Sequence, residues 1–231
     1  MKIKKAMILA AGFGTRMKPL TNKIPKPLIL IGKKNLLERC IDLLIKYGIN
    51  DFAINIHYKG DQIKKFIKKK KYKVKIKLFE EIGKPYDTGG GVFNATMKFG
   101  NNPFFVINPD TIWTDKNLKD LKNLEKRYLK NKNASLLLVK KKLSFDKSFK
   151  GDFSLDKNSK ILVKKNNDYI YTGAQVINRG IFRYVDSKIF SMNSIWSRLI
   201  PSKSLNGVIS KNKFLHVNST KIYKEIENLN L

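Results

Sequence analysis

The strongest constraint on the fold is the alternation that fills residues 5–110, where short apolar runs are separated by amphipathic segments. Residues 6–10, 51–56, 74–79 and 104–108 read as strands, each a compact apolar run bounded by turn residues. Between them, 35–47, 60–67 and 91–98 carry apolar residues at helical spacing. Strands joined by helices in this way build a largely parallel sheet with helices on both faces, so the expected class is α/β.

The later pattern is more varied. Residues 116–130 predict a helix with Leu118, Leu121, Leu124 and Tyr128 on one face, and 134–140 a buried strand. After Gly151 the texture shortens to strands at 151–155, 160–164 and 171–177, which predict a small, lid-like antiparallel extension. A strand at 213–217 and a helix from Ser219, whose hydroxyl suits an N-cap, are expected at the C-terminus. There is no internal repeat and no long linker, so residues 1–231 are expected to form a single domain.

Composition narrows the class of protein. With 231 residues and 42% hydrophobic content, the chain can bury one substantial core. The single cysteine, Cys40, falls in the apolar pattern of Leu36, Leu37, Ile41, Leu44 and Ile45 and is expected in that core. No apolar run reaches membrane-spanning length and no cleavage site follows the first residues, which points to a cytoplasmic protein without a membrane partner. The formal charge is +30, from 48 basic and 18 acidic residues. Its lysines are scattered over helices, loops and strand ends, with one dense run at 68–71, so the reading is a solvated surface and no nucleic-acid partner. The field still attracts small anionic substrates. Nothing in the pattern specifies an oligomeric state.

The chemistry concentrates at strand ends. After the first strand comes Ala11-Gly12-Phe13-Gly14-Thr15-Arg16-Met17, where Gly12 and Gly14 allow a tight turn with backbone N–H groups near a phosphate and Arg16 offers a guanidinium fork. It is not a P-loop, and Met17 replaces the third glycine of the dinucleotide pattern. Alone, this loop reads first as an ordinary strand-to-helix turn. Lys26 lies between Pro25 and Pro27, which present it from a stiff extended segment. Asp110 follows the strand at 104–108, at the sheet edge where a carboxylate either holds a magnesium ion against phosphates or simply caps the strand. Asp87-Thr88-Gly89-Gly90-Gly91 opens a helix and offers bare backbone to a ligand, or a flexible turn.

Together these segments are similar to the sugar-1-phosphate nucleotidyltransferases, through 9–17 and Pro25-Lys26-Pro27-Leu28. Asp87-Thr88-Gly89-Gly90-Gly91, Asn108-Pro109-Asp110 with Trp113, Gly151-Asp152-Phe153 and Tyr171-Thr172-Gly173 resemble the branch that includes N-acetylmuramate 1-phosphate uridylyltransferases. The resemblance implies a Rossmann-like nucleotidyltransferase fold and an enzyme of sugar-nucleotide biosynthesis. Its substrates would be a nucleoside triphosphate, with UTP expected, and a sugar 1-phosphate such as N-acetylmuramate α-1-phosphate from peptidoglycan recycling. Guanylyl or thymidylyl transfer to mannose, heptose or glucose phosphates, and non-catalytic sugar-nucleotide binding, are the alternatives on the same scaffold.

The resemblance also implies roles. Ala11, Gly12, Gly14, Thr15, Arg16 and Lys26 would contact the triphosphate, with Arg16, Lys26 and Asp110 catalytic. Glu81, Thr88 and Gly89 would lie near the base, and Asn108, Asp152 and Gly173 near the sugar. Asp110 would bind Mg2+, with Mn2+ an alternative. The family's second metal-binding aspartate falls on His216 of Phe214-Leu215-His216-Val217-Asn218-Ser219. An imidazole there is either a metal ligand or a hydrogen-bonding group. His57 is expected only to shape the site.

Overall fold

In a computed structural model of the chain, which describes residues 2–229, the elements follow the expected alternation in the first half. They are β1 (Lys5–Leu9), α1 (Leu20–Lys23), β2 (Leu30–Ile31), β3 (Lys34–Asn35), α2 (Leu36–Tyr47), β4 (Asp51–Ile56), α3 (Gly60–Lys70), β5 (Lys75–Glu80), α4 (Asp87–Ala95) and β6 (Phe104–Ile107). The second half adds α5 (Leu118–Asn131), β7 (Ala134–Lys140), β8 (Ser154–Leu155), β9 (Ile161–Leu162), β10 (Tyr169–Ile177), α6 (Met192–Leu199), β11 (Leu205–Ser210) and α7 (Thr220–Glu227).

Seven strands form the central sheet in the order β11-β7-β10-β6-β1-β4-β5. All the pairings are parallel except those of β10, which runs antiparallel to both β6 and β7. The α/β class with a mostly parallel sheet is therefore observed. The period of two sorts the strand residues between two cores. Ala6, Ile8, Phe105 and Ile107 pack under α2 and α5, while Met7, Phe104 and Val106 pack under α4 and α6. α2 shows why its residues form a helix: Leu37, Cys40, Ile41 and Leu44 are buried along one stripe, and the Asn35 side chain accepts from the Glu38 amide at 2.8 Å as an N-cap.

Three expectations are corrected. β10 is not part of an extension but an inner strand of the main sheet, because its residues from Thr172 to Ile177 are buried on both faces; only β8 and β9 form a small antiparallel pair. Residues 213–217 make two isolated bridges, Ser144 with Phe214 and Thr111 with His216, in place of a strand. α6 and β11 were not anticipated, and α4 begins at Asp87, four residues before the expected start. No helix of the described residues is long and apolar enough to cross a membrane.

The connection order places the site. From β1 the chain steps outward to β4 and β5, then returns to the other side of β1 as β6. The segments leaving the carboxyl ends of β1 and β6 therefore diverge, and a crevice opens at that reversal. A third core, with Met17, Ile29, Ile31, Leu36, Ile112, Val217 and Ile226, ties the loop after β1 to the C-terminal segment.

Candidate active site

The crevice is a cavity of about 530 Å³, within the range of small-molecule sites. Ala11, Gly12, Gly14, Thr15 and Arg16 line it from the loop after β1, and Asn108 and Asp110 from the loop after β6. Lys26, Glu81 and Thr88 also reach it. Gly89, Asp152, Gly173 and His216 do not line it.

The glycine loop is built to meet Lys26. Gly14 sits at φ 63°, ψ 33°, a left-handed conformation that ordinary residues adopt at a cost. Its carbonyl accepts from the Met17 amide at 2.8 Å and the Thr21 hydroxyl at 3.0 Å. A Cβ there would stand 2.9 Å from Thr21 Cγ2 and 3.0 Å from Lys26 Cβ, so the glycine lets the two segments touch. Lys26 itself opens a 3-10 turn, Lys26–Leu28, after an extended Pro25, and is not part of a longer extended stretch. Arg16 is exposed at the lip of the cavity, with no hydrogen bond or ion pair among the described residues.

At the centre stands Asp110. Its Oδ2 receives Lys26 Nζ at 2.5 Å and His216 Nε2 at 3.1 Å. Burial opposes the charge, but Lys26 and then His216 outweigh it and hold the carboxyl far below the usual carboxylate range. Asp110 Oδ1 is buried and has no hydrogen-bond partner among the described residues. Among the described residues no group of three or more His, Cys, Asp or Glu is gathered as a ready-made metal centre. One free carboxylate oxygen still fits a hard divalent ion, which takes one or two protein carboxylates and completes its shell with phosphates and water.

His216 arrives because residues 214–217 thread between two loops: Ile112 donates to the Leu215 carbonyl at 2.8 Å, Val217 to that of Asp110 at 2.8 Å, and Phe145 to that of Phe214 at 2.9 Å. Its ring stacks on Phe214 with planes 8° apart and centroids 5.7 Å apart. Two positions further, Asn218 lines the cavity and donates from Nδ2 to Asp146 Oδ2 at 2.7 Å. Burial works against the Asp146 charge, but donors from Ser148 and Asn218 outweigh it and keep this carboxyl below its ordinary range.

Other expected residues act through the frame. Glu81 is 4% exposed, accepting from Asn55 Nδ2 at 2.7 Å and from the Tyr86 amide at 2.7 Å. The N–H groups of Gly89 and Gly90 are taken by the Phe190 carbonyl at 2.9 and 3.0 Å, and Thr88 Oγ1 accepts from the Met192 amide. Gly89 and Gly90 therefore pack against the 188–190 segment, and Gly91 against Asn55 and Glu81. Gly173, at φ 88°, receives the Asn108 amide on its carbonyl at 2.7 Å and supports that loop from behind. Asp152 accepts from the Tyr171 amide at 2.8 Å outside the cavity, and desolvation pushes its carboxyl up. His57 Nδ1 meets the Glu81 carbonyl at 2.8 Å.

Asn55, Pro85 and Asn218 line the cavity without having been given a role from sequence. Asn218 follows an apolar strand-like run, the signal that marked Asp110 as well, whereas Asn55 lies within β4.

The nucleotidyl transferase family profile matches residues 5–146. The N-acetylmuramate alpha-1-phosphate uridylyltransferase of Caulobacter vibrioides is 28% identical over 221 residues, covering 93% of this chain and 91% of that one. The D-glycero-alpha-D-manno-heptose 1-phosphate guanylyltransferase of Campylobacter jejuni is 33% identical over 178 residues, 77% of this chain and 74% of its own. Among solved structures, HddC from Yersinia pseudotuberculosis complexed with GMP-PN superposes with a TM-score of 0.77 at 22% identity, over 98% of this chain and 99% of that one. A UDP-glucose pyrophosphorylase from Acinetobacter baumanii gives 0.80 at 18% identity, over 98% and 92%. By its family match, its relatives and its fold, this chain belongs to the nucleotidyl transferase family and is a sugar-1-phosphate nucleotidyltransferase.

Proposed function

We propose that the enzyme transfers a uridylyl group from UTP to an N-acetylmuramate-type sugar 1-phosphate and releases pyrophosphate. The observation that carries this reading is the near end-to-end match to the Caulobacter uridylyltransferase. A guanylyl transfer to a heptose 1-phosphate is the second reading, favoured by the higher identity to the Campylobacter enzyme over a shorter span.

The chemistry needs alignment and charge more than a base. A sugar phosphate oxygen is already anionic at neutral pH; it forms the new bond to the α-phosphorus as the bond from that phosphorus to the bridging oxygen breaks. The electron pair leaves with pyrophosphate, and no proton has to be removed from the nucleophile. Arg16, exposed at the lip, and Lys26 are the cations assigned to the developing charge. Ala11, Gly12, Gly14 and Thr15 are assigned to the triphosphate, Thr88 to the base side with Glu81 framing the loop that leads to it, and Asn108 to the sugar side. The family uses divalent ions; Mg2+ or Mn2+ on Asp110 would neutralise phosphate charge when bound. Desolvation in the crevice strengthens each of these interactions.

The test is to incubate the purified protein with each nucleoside triphosphate, a panel of sugar 1-phosphates and Mg2+ or Mn2+, and to follow pyrophosphate release. Turnover is expected with UTP and N-acetylmuramate α-1-phosphate. A preference for GTP with a heptose phosphate would replace the first reading with the second. Tight nucleotide binding with no release across the panel would leave a sensor in place of an enzyme.

A further inference from the structure

Two residues that line the cavity, Asp110 and Asn218, each hold a buried acceptor oxygen with no donor among the described residues. These atoms are Asp110 Oδ1 and Asn218 Oδ1. The chain brings them together through the Val217 amide, which donates to the Asp110 carbonyl at 2.8 Å, and through the Thr111–His216 bridge. The Asn218 amide has only one orientation available. Its Nδ2 donates to Asp146 Oδ2 at 2.7 Å, and a carboxylate presents acceptors alone, so Oδ1 cannot exchange places with Nδ2. Asp146 is fixed in turn, with Oδ1 receiving the Ser148 amide at 2.9 Å and hydroxyl at 2.7 Å.

His216 is engaged differently. Its Nε2 donates to the other Asp110 oxygen, Oδ2, at 3.1 Å, its Nδ1 is buried without a hydrogen-bond partner among the described residues, and its ring packs against Phe214 and Phe149, which also touch each other. The nitrogen nearest the carboxylate is thus committed to orienting it. Buried acceptors left without a donor are unusual in native proteins and call for a water or a cation.

We propose that Asn218 Oδ1 joins Asp110 Oδ1 as a neutral oxygen ligand of the divalent ion, with His216 serving as a hydrogen-bond donor to Asp110 and not as a ligand. This rests on the metal-dependent reading above. Such a donor set carries a single carboxylate charge, so the free protein holds the ion weakly and the triphosphate supplies the remaining oxygens.

The probe is Mn2+ itself, titrated by electron paramagnetic resonance into the full chain with and without a non-hydrolysable UTP analogue. Asn218→Ala is expected to weaken Mn2+ binding with the analogue by about tenfold, the low end for loss of a metal-site partner. Asn218→Asp, made together with Asp146→Asn so that residue 146 can donate to the new carboxylate, adds a charge at the same place and is expected to tighten Mn2+ binding without the analogue. Melting curves check that each variant folds; should Asn218→Ala not fold, the double variant carries the comparison. The electron-spin-echo spectrum of the bound ion is expected to lack the nitrogen coupling of a coordinated imidazole. Affinity within twofold of wild type in Asn218→Ala, no tightening in the double variant, or a coordinated-imidazole signal would each overturn the assignment; a bridging water alone would give the first two. Wild-type protein that bound no Mn2+ in either condition would instead overturn the metal-dependent reading itself.

Discussion

Lys26 Nζ lies 2.5 Å from Asp110 Oδ2, and the two side chains are only 14% and 21% exposed. The ion pair couples the loop after β1 to the loop after β6 across the mouth of the crevice, and it has a stability consequence with a definite sign. Unfolded, the carboxyl titrates near 4. Folded, it keeps its charge well below that, so the unfolded state binds more protons in acid. The group's contribution is complete above about pH 4 and declines as the pH falls further. Urea unfolding of wild type and Asp110→Asn, in chelator so that no divalent ion contributes, is expected to show wild type more stable at pH 7. The gap should begin to narrow near pH 4 and go on narrowing as the pH falls further. A gap that widened in acid would contradict this sign.

Arg16 and Lys26 are assigned the same catalytic service but have different structural standing. Arg16 has no partner within the described residues, whereas Lys26 neutralises Asp110. Both alanine variants are expected to lose about a hundredfold or more in kcat, the scale of removing a transition-state charge partner. Their melting curves should differ. Arg16→Ala is expected to melt as wild type, while Lys26→Ala loses about 1–3 kcal/mol because a partly buried carboxylate is left uncompensated. Equal melting of the two variants would mean that the Lys26–Asp110 pair contributes no stability.

Two glycines give opposite expectations. A Cβ on Gly90 would stand 2.1 Å from the Lys188 carbonyl oxygen, so α4 would have to move off the 188–190 segment. The better helix propensity of alanine, about 1 kcal/mol, is outweighed by overpacking of about 1–3 kcal/mol against an unyielding backbone group. Gly90→Ala is therefore expected to lower the melting midpoint. Gly12 has nothing within 4 Å of its Cβ position, and it lines the cavity. Gly12→Ala should fold with unaltered stability and bind nucleotide less tightly, read by titration calorimetry.

The first half of the fold was legible because β1, β4 and β6 are apolar runs and α2 and α5 carry a clean helical stripe. β11 escaped because its sequence breaks the apolar pattern. Asn206 is fully buried yet satisfied by Asn131, Ser135 and Lys160, and a Cβ on Gly207 would stand 2.5 Å from Leu155 Cδ2. α6 is short, with Met192, Ile195 and Trp196 as its buried residues, too few for a periodic signal. In the site, the loop residues that bend or carry charge were readable from type and spacing. The packing role of Gly89, Gly90 and Gly91 was not, since a glycine that admits a ligand and one that admits a neighbouring segment look alike until the neighbour is known. Asn218 was hidden for a related reason, because its orientation depends on Asp146, 72 residues away in sequence.

Glu81 separates a frame role from a direct contact. Asn55 accepts from the Ala10 amide at 2.9 Å and donates to Glu81 Oε1 at 2.7 Å, while Glu81 Oε2 accepts from the Tyr86 amide at 2.7 Å. This relay joins the end of β1 to β4 and to the 81–86 segment that leads into the cavity-lining Asp87 and Thr88. Replacing one carboxylate oxygen by NH2 in Glu81→Gln sets a donor against either Asn55 Nδ2 or the Tyr86 N–H. An unpaired buried donor costs about 1–3 kcal/mol. The variant is expected to melt lower, and KM is expected to rise by a similar factor for every nucleoside triphosphate it accepts, because the loop and not a base contact has been disturbed. A shift in base preference at wild-type stability would place Glu81 on the base itself.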